Sequence, residues 1–338
     1  MSQAAGPPAD SELNRLNREV FEAFKNRQFQ TAEMLADRVW EQMPEGTIST
    51  AVGIAAANKG ALLTIRGRFE DAMEWQERAD RIFGKVTADR LRGRLEVARA
   101  VTSFLNERQF SEEAPEQALQ HVEAARPALG KDDFRLNWVE AEMMGHSPRA
   151  VHVQGSYMKY LGLIRACESS GDSLRLGWCE MRLGIVEGAT GGHSEALKRY
   201  GRALEIFEAM KDSVGMGLAM RNMGLASRKK MMYDEAETIL NQALVFSQKR
   251  GDTALSVKVL NDLSKLYMET GDFPRAAKTD QMVNTVLDSI GEDVRSGRSV
   301  DSLILDYHHL IRLRYASLLP YENDRFTGFY DQLVLEEK

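Results

Sequence analysis

The apolar positions of the chain recur at the spacing of amphipathic helices, most plainly between residues 212 and 248. Asp212 or Ser213 can cap a first helix, because a short polar side chain there accepts backbone N–H bonds. Its apolar face is then formed by Met216, Met220, Met223 and Ala226. A second helix is predicted from Asp234 to about Gln248, with Ala236, Ile239, Leu240, Ala243 and Leu244 on one side. Gly251 and Asp252 end this unit and begin the next.

The same pattern returns every 40 residues, which makes the chain a repeat array. The clearest series are the alanines and aspartates at Ala196, Ala236 and Ala276, and at Asp172, Asp212 and Asp252. One pair of helices cannot bury its apolar face alone, so successive pairs must stack. The sequence predicts an all-α, right-handed solenoid of about seven helical hairpins, with a short insertion near residues 111–116.

Small residues are placed where neighbouring helices have to approach closely. Gly184 and Gly224 lie on predicted first helices, and Ala196, Ala203, Ala236 and Ala243 lie on predicted second helices. We therefore expect the two axes of each pair to pack at short distance.

This combination resembles the tetratricopeptide repeat (TPR). The resemblance rests on Leu183-Gly184 with Ala196, Tyr200 and Ala203, on Met223-Gly224 with Tyr233, Ala236, Leu240 and Ala243, and on the segments 60–79 and 271–276. A unit of 40 residues is similar to the arrays of the Pins/LGN polarity adaptors, rapsyn and bacterial peptide-sensing regulators. The resemblance implies a frame for partner proteins, which serves many functions.

Composition and charge narrow the function. The 44 basic and 50 acidic residues give a net charge of −6, which argues against a general nucleic-acid binder. No apolar run is long enough to span a membrane, and Met1 to Asp10 do not form a signal peptide. The two cysteines, Cys167 and Cys179, favour a reducing compartment, so we expect a cytoplasmic protein.

The inner faces of the predicted first helices contain the candidate binding site. Mapping by the 40-residue phase gives an apolar, aromatic middle followed by a basic, amide-rich part. The partner-binding candidates are Trp178, Met181, Arg182, Arg221, Asn222, Arg228, Lys258, Asn261 and Lys265. Arginine and lysine would bind carboxylates, and asparagine would bind peptide backbone. The alternatives are a solvated charged face and, for Trp138 and Trp178, packing between helices.

We therefore expect an adaptor or scaffold that binds an acidic or apolar peptide or helix of another protein. The alternative is a peptide-responsive regulator acting through a separate effector. Chaperone-binding TPR domains hold a terminal carboxylate with a five-residue clamp; Asn222 and Lys258 match two of its places, whereas Met181, Ile185 and Asp262 occupy the others. The incomplete clamp does not favour chaperone docking.

Catalytic and metal-binding motifs are sparse, so we expect neither an enzyme nor a cofactor or metal. His308-His309 has no further ligands at metal spacing. The glycine-rich stretch 188–192 lacks the lysine of a phosphate loop and is interpreted as a turn within one repeat. Cys167 and Cys179 are interpreted as buried free thiols rather than a redox pair.

The predicted organisation has four parts. Residues 1–12 form a disordered lead-in, 13–290 the solenoid, 291–320 a C-terminal capping helix, and 321–338 an aromatic and acidic tail. The tail resembles the ligand that the groove should prefer. It either caps the array or occupies a groove of its own or a neighbouring copy, which would produce self-association.

Overall fold

A computed structural model of the chain describes residues 10–25, 29–41, 46–65, 67–107 and 113–295. These residues form fourteen α-helices, and the described part of the chain contains no strand. The helices are α1 Asp10–Lys25, α2 Phe29–Glu41, α3 Thr50–Ile65, α4 Phe69–Lys85, α5 Asp89–Glu107, α6 Ala114–Leu129, α7 Phe134–His146, α8 Ala150–Ser170, α9 Ser173–Ala189, α10 His193–Met210, α11 Ser213–Lys229, α12 Tyr233–Lys249, α13 Thr253–Glu269 and α14 Phe273–Arg295. They make seven consecutive pairs, which confirms the predicted all-α repeat array.

The repeating aspartates begin the first helix of three successive pairs. Asp172 accepts from the backbone N–H of Arg175, and Asp252 accepts from that of Leu255, at 3.1 and 3.0 Å. Asp212 accepts from two backbone N–H groups, each at 3.2 Å. Each carboxylate satisfies donors that the first turn of a helix leaves unpaired. The cap predicted at Asp212 is thereby confirmed, and the structure adds equivalent caps at Asp172 and Asp252.

Glycines occupy the two kinds of position that a TPR-like pair needs. Gly251 follows α12 with φ +67°, a left-handed conformation that other residues adopt at a cost. A Cβ atom on Gly184 would lie 2.7 Å from Tyr200 Cε1, and one on Gly224 would lie 2.7 Å from Leu240 Cγ. The predicted close approach of first and second helices is therefore confirmed.

The described residues divide into two compact units, one ending at Ser156 and the other beginning at Tyr157 within α8. The core of the first unit joins alanines to larger side chains such as Phe24, Phe104 and Met143. The second unit buries Tyr200 and Phe207 from α10. Within the described ranges, no helix combines the length and apolar character needed to cross a bilayer.

The ends of the described array differ slightly from the predicted boundaries. Helix α1 begins at Asp10, three residues before the predicted start of the solenoid, and α14 continues to Arg295, past the predicted end at 290. The remainder of the predicted capping helix and the tail at 321–338 lie outside the described residues, as does His308-His309.

Candidate functional site

All nine predicted partner-binding residues lie on the first helices α9, α11 and α13 of the second unit. We call the surface formed by these nine residues the first-helix face. Helix α11 contacts both α9 and α13 directly, so the three helices are neighbours in space. Seven of the nine side chains are buried, and Asn261 and Lys265 are half-buried. The face is therefore more deeply enclosed than a solvated charged surface.

Two ion pairs join α11 to α13 across this face. Arg221 Nε donates to Asp262 Oδ2 at 2.5 Å, and both side chains are at most 5% exposed. Two helical turns further on, Arg228 Nη1 donates to Glu269 Oε1 at 2.9 Å. Each pair spans 41 residues, so the same geometry occurs twice. Two of the three arginines expected to bind a partner's carboxylates thus already hold carboxylates of the chain itself.

The apolar part of the face belongs mainly to the interior. Trp178 is 7% exposed and packs edge-to-face on Phe207 of α10, with ring centroids 5.1 Å apart. Phe207 fits there because Gly177 and Gly215 leave room, since a Cβ on either would lie within 3 Å of its ring. Met181 is 2% exposed. Of the two alternatives left open for Trp178, the structure favours packing between helices.

One structural position changes character from repeat to repeat. It is occupied by Arg182 on α9, Asn222 on α11 and Asp262 on α13, each 40 residues from the next. All three are buried, with exposed fractions of 2%, 8% and 1%. This position therefore holds a cation on α9, an amide on α11 and an anion on α13. The anion, Asp262, is the one that pairs with Arg221.

Three of the predicted residues keep their polar groups available. The side chains of Asn222, Asn261 and Lys265 make no hydrogen bond or ion pair with any other described residue. The amides can donate to and accept from a peptide backbone at once, and the ammonium can bind a carboxylate. Lys258 does not belong to this group, because it already takes part in an interaction within the chain.

Sequence reasoning missed a second charged network between α8, α9 and α10. Glu180 is fully buried and receives Arg199 at 3.0 Å and Arg202 at 2.6 Å. Arg202 also binds Glu168 of α8 at 2.6 Å, and Arg199 reaches Glu187 at 3.3 Å. Burial raises the pKa of Glu187, against the lowering effect of Arg199. The network links three helices of the second unit through four ion pairs.

Other candidate chemistry is limited in the described part of the chain. Cys167 and Cys179 are buried free cysteines, and their mutual hydrogen bond lowers the pKa of the Cys167 thiol. Residues 190–192 form the turn from α9 to α10, and Gly188 and Ala189 are the last residues of α9. Among the described residues, no three His, Cys, Asp or Glu side chains form a group suited to a metal ion.

Solved structures share this fold at low sequence identity. A signal-transduction ATPase of the STAND class with a tetratricopeptide-repeat sensor, from Pyrococcus horikoshii, matches at 14% identity and TM-score 0.59, over 96% of this chain and 47% of that chain. NprR in complex with its cognate peptide NprX matches at 12% identity and TM-score 0.53, over 96% of this chain and 89% of that chain. Aspartyl phosphate phosphatase F from Bacillus subtilis matches at 15% identity and TM-score 0.51, over 97% of this chain and 85% of that chain.

These matches establish a TPR-like helical repeat fold, the fold class that the sequence predicts. No family model matches the sequence, and no curated protein matches it significantly.

Proposed function

We propose that the chain is a non-enzymatic adaptor that binds a peptide segment or helix of another protein on the first-helix face. The observation that carries the proposal is the group of unpaired polar side chains Asn222, Asn261 and Lys265 on neighbouring helices. Two amides that can bind peptide backbone and one ammonium that can bind a carboxylate suit an extended acidic or apolar segment.

The proposal assigns different roles to residues that the sequence grouped together. Arg221 and Arg228 hold α11 against α13 through their ion pairs, and Trp178 and Met181 form the buried apolar part of the face. A ligand would then be bound by the side-chain amides of Asn222 and Asn261 and by the ammonium of Lys265. Two buried free thiols are compatible with a reducing cytoplasm, where we place this activity.

A peptide-responsive regulator is the second candidate. NprR, which has a similar fold, has a structure with its cognate peptide. In such a protein, peptide binding would change the affinity of the chain for a separate effector. This requires that the peptide binds one of two conformations of the chain more tightly than the other. A phosphatase also has this fold, but the first-helix face offers no nucleophile beside a general base.

The test begins with peptides selected from a random displayed library on the full chain, because the natural partner is unknown. Affinities of the selected peptides are then measured by fluorescence anisotropy. The variant Asn222→Ala/Asn261→Ala/Lys265→Glu removes the available groups without touching the ion pairs. We expect at least a tenfold loss of affinity, equivalent to about 1.4 kcal/mol or more.

The control variant changes the same number of side chains and the same charge on the second helices. It is Lys198→Glu/Gln242→Ala/Gln248→Ala, all exposed positions of α10 and α12. The control should bind like the wild type. Equal affinity of both variants would place binding elsewhere, and failure to select any peptide above background would refute peptide binding.

A further inference from the structure

A cleft in the first unit combines two tryptophans with three positive charges. It has a volume of about 500 Å³ and lies between the end of α2, the turn before α3, and α4. Trp40 comes from α2, and Trp75 comes from α4. This volume is in the range of sites that hold small ligands or a few peptide side chains. We call it the N-terminal cleft.

Within the part of the chain that the structure describes, the cations of the cleft have no carboxylate partner. Arg78, Arg81 and Lys85 lie on one side of α4 at intervals of three and four residues, and all three are exposed. None of them forms an ion pair within the described residues, whereas Arg68 and Arg92 nearby in the sequence both do. Three unpaired cations around one cavity are unexpected in a chain of net charge −6.

The tryptophans hold Arg78 in a geometry that suits a carboxylate. Its guanidinium carbon lies 4.3 Å from the ring centre of Trp40 and 5.2 Å from that of Trp75. The two indoles pack edge-to-face with centroids 4.7 Å apart. Stacking uses the face of a guanidinium and leaves its N–H edge for a planar, bidentate acceptor. Arg78 is thereby pre-oriented, which lowers the entropy cost of binding.

The apolar wall and the spacing of the cations define the ligand further. Ile48, Val52 and Ile82 line the same cleft and would cover an aliphatic or aromatic side chain. Arg78 and Lys85 are seven residues apart on a helix, which corresponds to a rise of about 10 Å. In a polyproline II conformation, three residues cover about 9 Å and side chains three residues apart lie on the same side of the peptide.

We propose that the N-terminal cleft binds an acidic segment of a partner protein in which two carboxylates, three residues apart, enclose apolar side chains. A nucleotide fits less well because Arg78 occupies the indole face on which a base would stack. The site is separate from the first-helix face and does not depend on the function proposed for it.

The probe is a fluorescein-labelled, end-blocked hexapeptide Gly-Asp-Leu-Phe-Glu-Gly, titrated with the full chain at low ionic strength. Replacing its acids by Asn and Gln, or its apolar pair by two serines, should each weaken binding at least tenfold. The variant Arg78→Gln/Arg81→Gln/Lys85→Gln should weaken binding of the original peptide by at least tenfold as well.

A matched control removes three other exposed positive charges: Lys198→Gln/Lys249→Gln/Lys278→Gln. It should bind the peptide within about twofold of the wild type, since screening limits distant charges. Equal weakening by both triple variants would show a non-specific charge effect and overturn the proposal. Unchanged affinity in the cleft variant would do the same.

Two further outcomes would assign the cleft to another occupant and so overturn the proposal. If the peptide binds only after Asp331, Glu336 and Glu337 are replaced by their amides, the occupant is the chain's own tail. If AMP binds, with the same sensitivity to the cleft variant, and the peptide does not, the cleft is a nucleotide site.

Discussion

The Arg221–Asp262 ion pair offers a sharp test of how the repeats are held together, because the chain contains its own neutral substitute. One repeat earlier, the positions equivalent to Arg221 and Asp262 are occupied by Met181 and Asn222. The variant Arg221→Met/Asp262→Asn therefore copies onto α11 and α13 a combination that α9 and α11 already carry. Each single substitution leaves one buried charge without its partner.

The magnitude follows from the burial of both groups. The side chains are 5% and 1% exposed, and their N–O distance is 2.5 Å. Charges about 4 Å apart attract by about 4 kcal/mol at an effective dielectric constant of about 20. Removing one partner of a buried pair costs about 3–5 kcal/mol, whereas exchanging both for residues that pack well is often close to neutral. We expect about 3–4 kcal/mol for either single variant and about 1 kcal/mol for the double variant.

The assay is urea unfolding at 25 °C, followed by far-UV circular dichroism for the wild type and the three variants. Because repeat arrays unfold in parts, hydrogen exchange of α11 and α13 supplies a local measure of stability. With these costs, the coupling free energy of the cycle should be about 5–7 kcal/mol in magnitude. Additive single effects, or single variants that cost less than about 1 kcal/mol, would show that the pair does not hold these helices together.

Two further predictions concern packing and protonation. Gly224→Ala should lower the free energy of unfolding by about 1–2 kcal/mol in urea titrations, because its Cβ would lie 2.7 Å from Leu240 Cγ. Gly201→Ala should raise it by about 0.5–1 kcal/mol, since a Cβ there meets nothing within 4 Å and alanine favours the helix. The raised pKa of Glu187 means that the folded chain holds this proton at higher pH than the unfolded chain does, so stability falls as the pH rises above about 4.5. Glu187→Gln should therefore flatten the pH dependence of the melting temperature above that pH, and an unchanged profile would contradict the assignment.

The features that sequence could predict are those decided within one repeat. Asp212 caps α11 because a short carboxylate before a helix reaches the first free N–H groups, whatever the rest of the fold does. Gly224 faces Leu240 because both lie in one helical pair of fixed geometry. Periodicity alone therefore locates the helices, their caps and the contacts of first with second helices.

The two ion pairs between α11 and α13 could not be predicted from the 40-residue periodicity. The 40-residue phase places Arg221 and Arg228 on the inner faces of first helices, which predicts contact with a partner, and the residues 40 positions later are the uncharged Asn261 and Met268. The carboxylates lie one residue later, at Asp262 and Glu269, where the length of the arginine side chain reaches them. Each arginine is followed 41 residues later by a carboxylate, and the second such pair begins seven residues after the first. This recurrence is the sequence signal that could have found both ion pairs. The sequence alone, however, does not show whether such residues are buried against each other or both exposed to solvent.

The two proposed sites use charge in opposite ways, and this follows from which cations are paired. On the first-helix face, Arg221 and Arg228 are neutralised by carboxylates of the chain, so recognition is left to amides and to Lys265. In the N-terminal cleft, Arg78 is oriented by tryptophans instead of a carboxylate, and its hydrogen-bonding edge stays open. A face of the first kind selects a segment by backbone hydrogen bonding and shape, whereas a cleft of the second kind selects acidic side chains. Arginine therefore joins helices in the second unit and is proposed to bind a ligand in the first. The group that each arginine contacts, a carboxylate or a tryptophan, distinguishes the two roles.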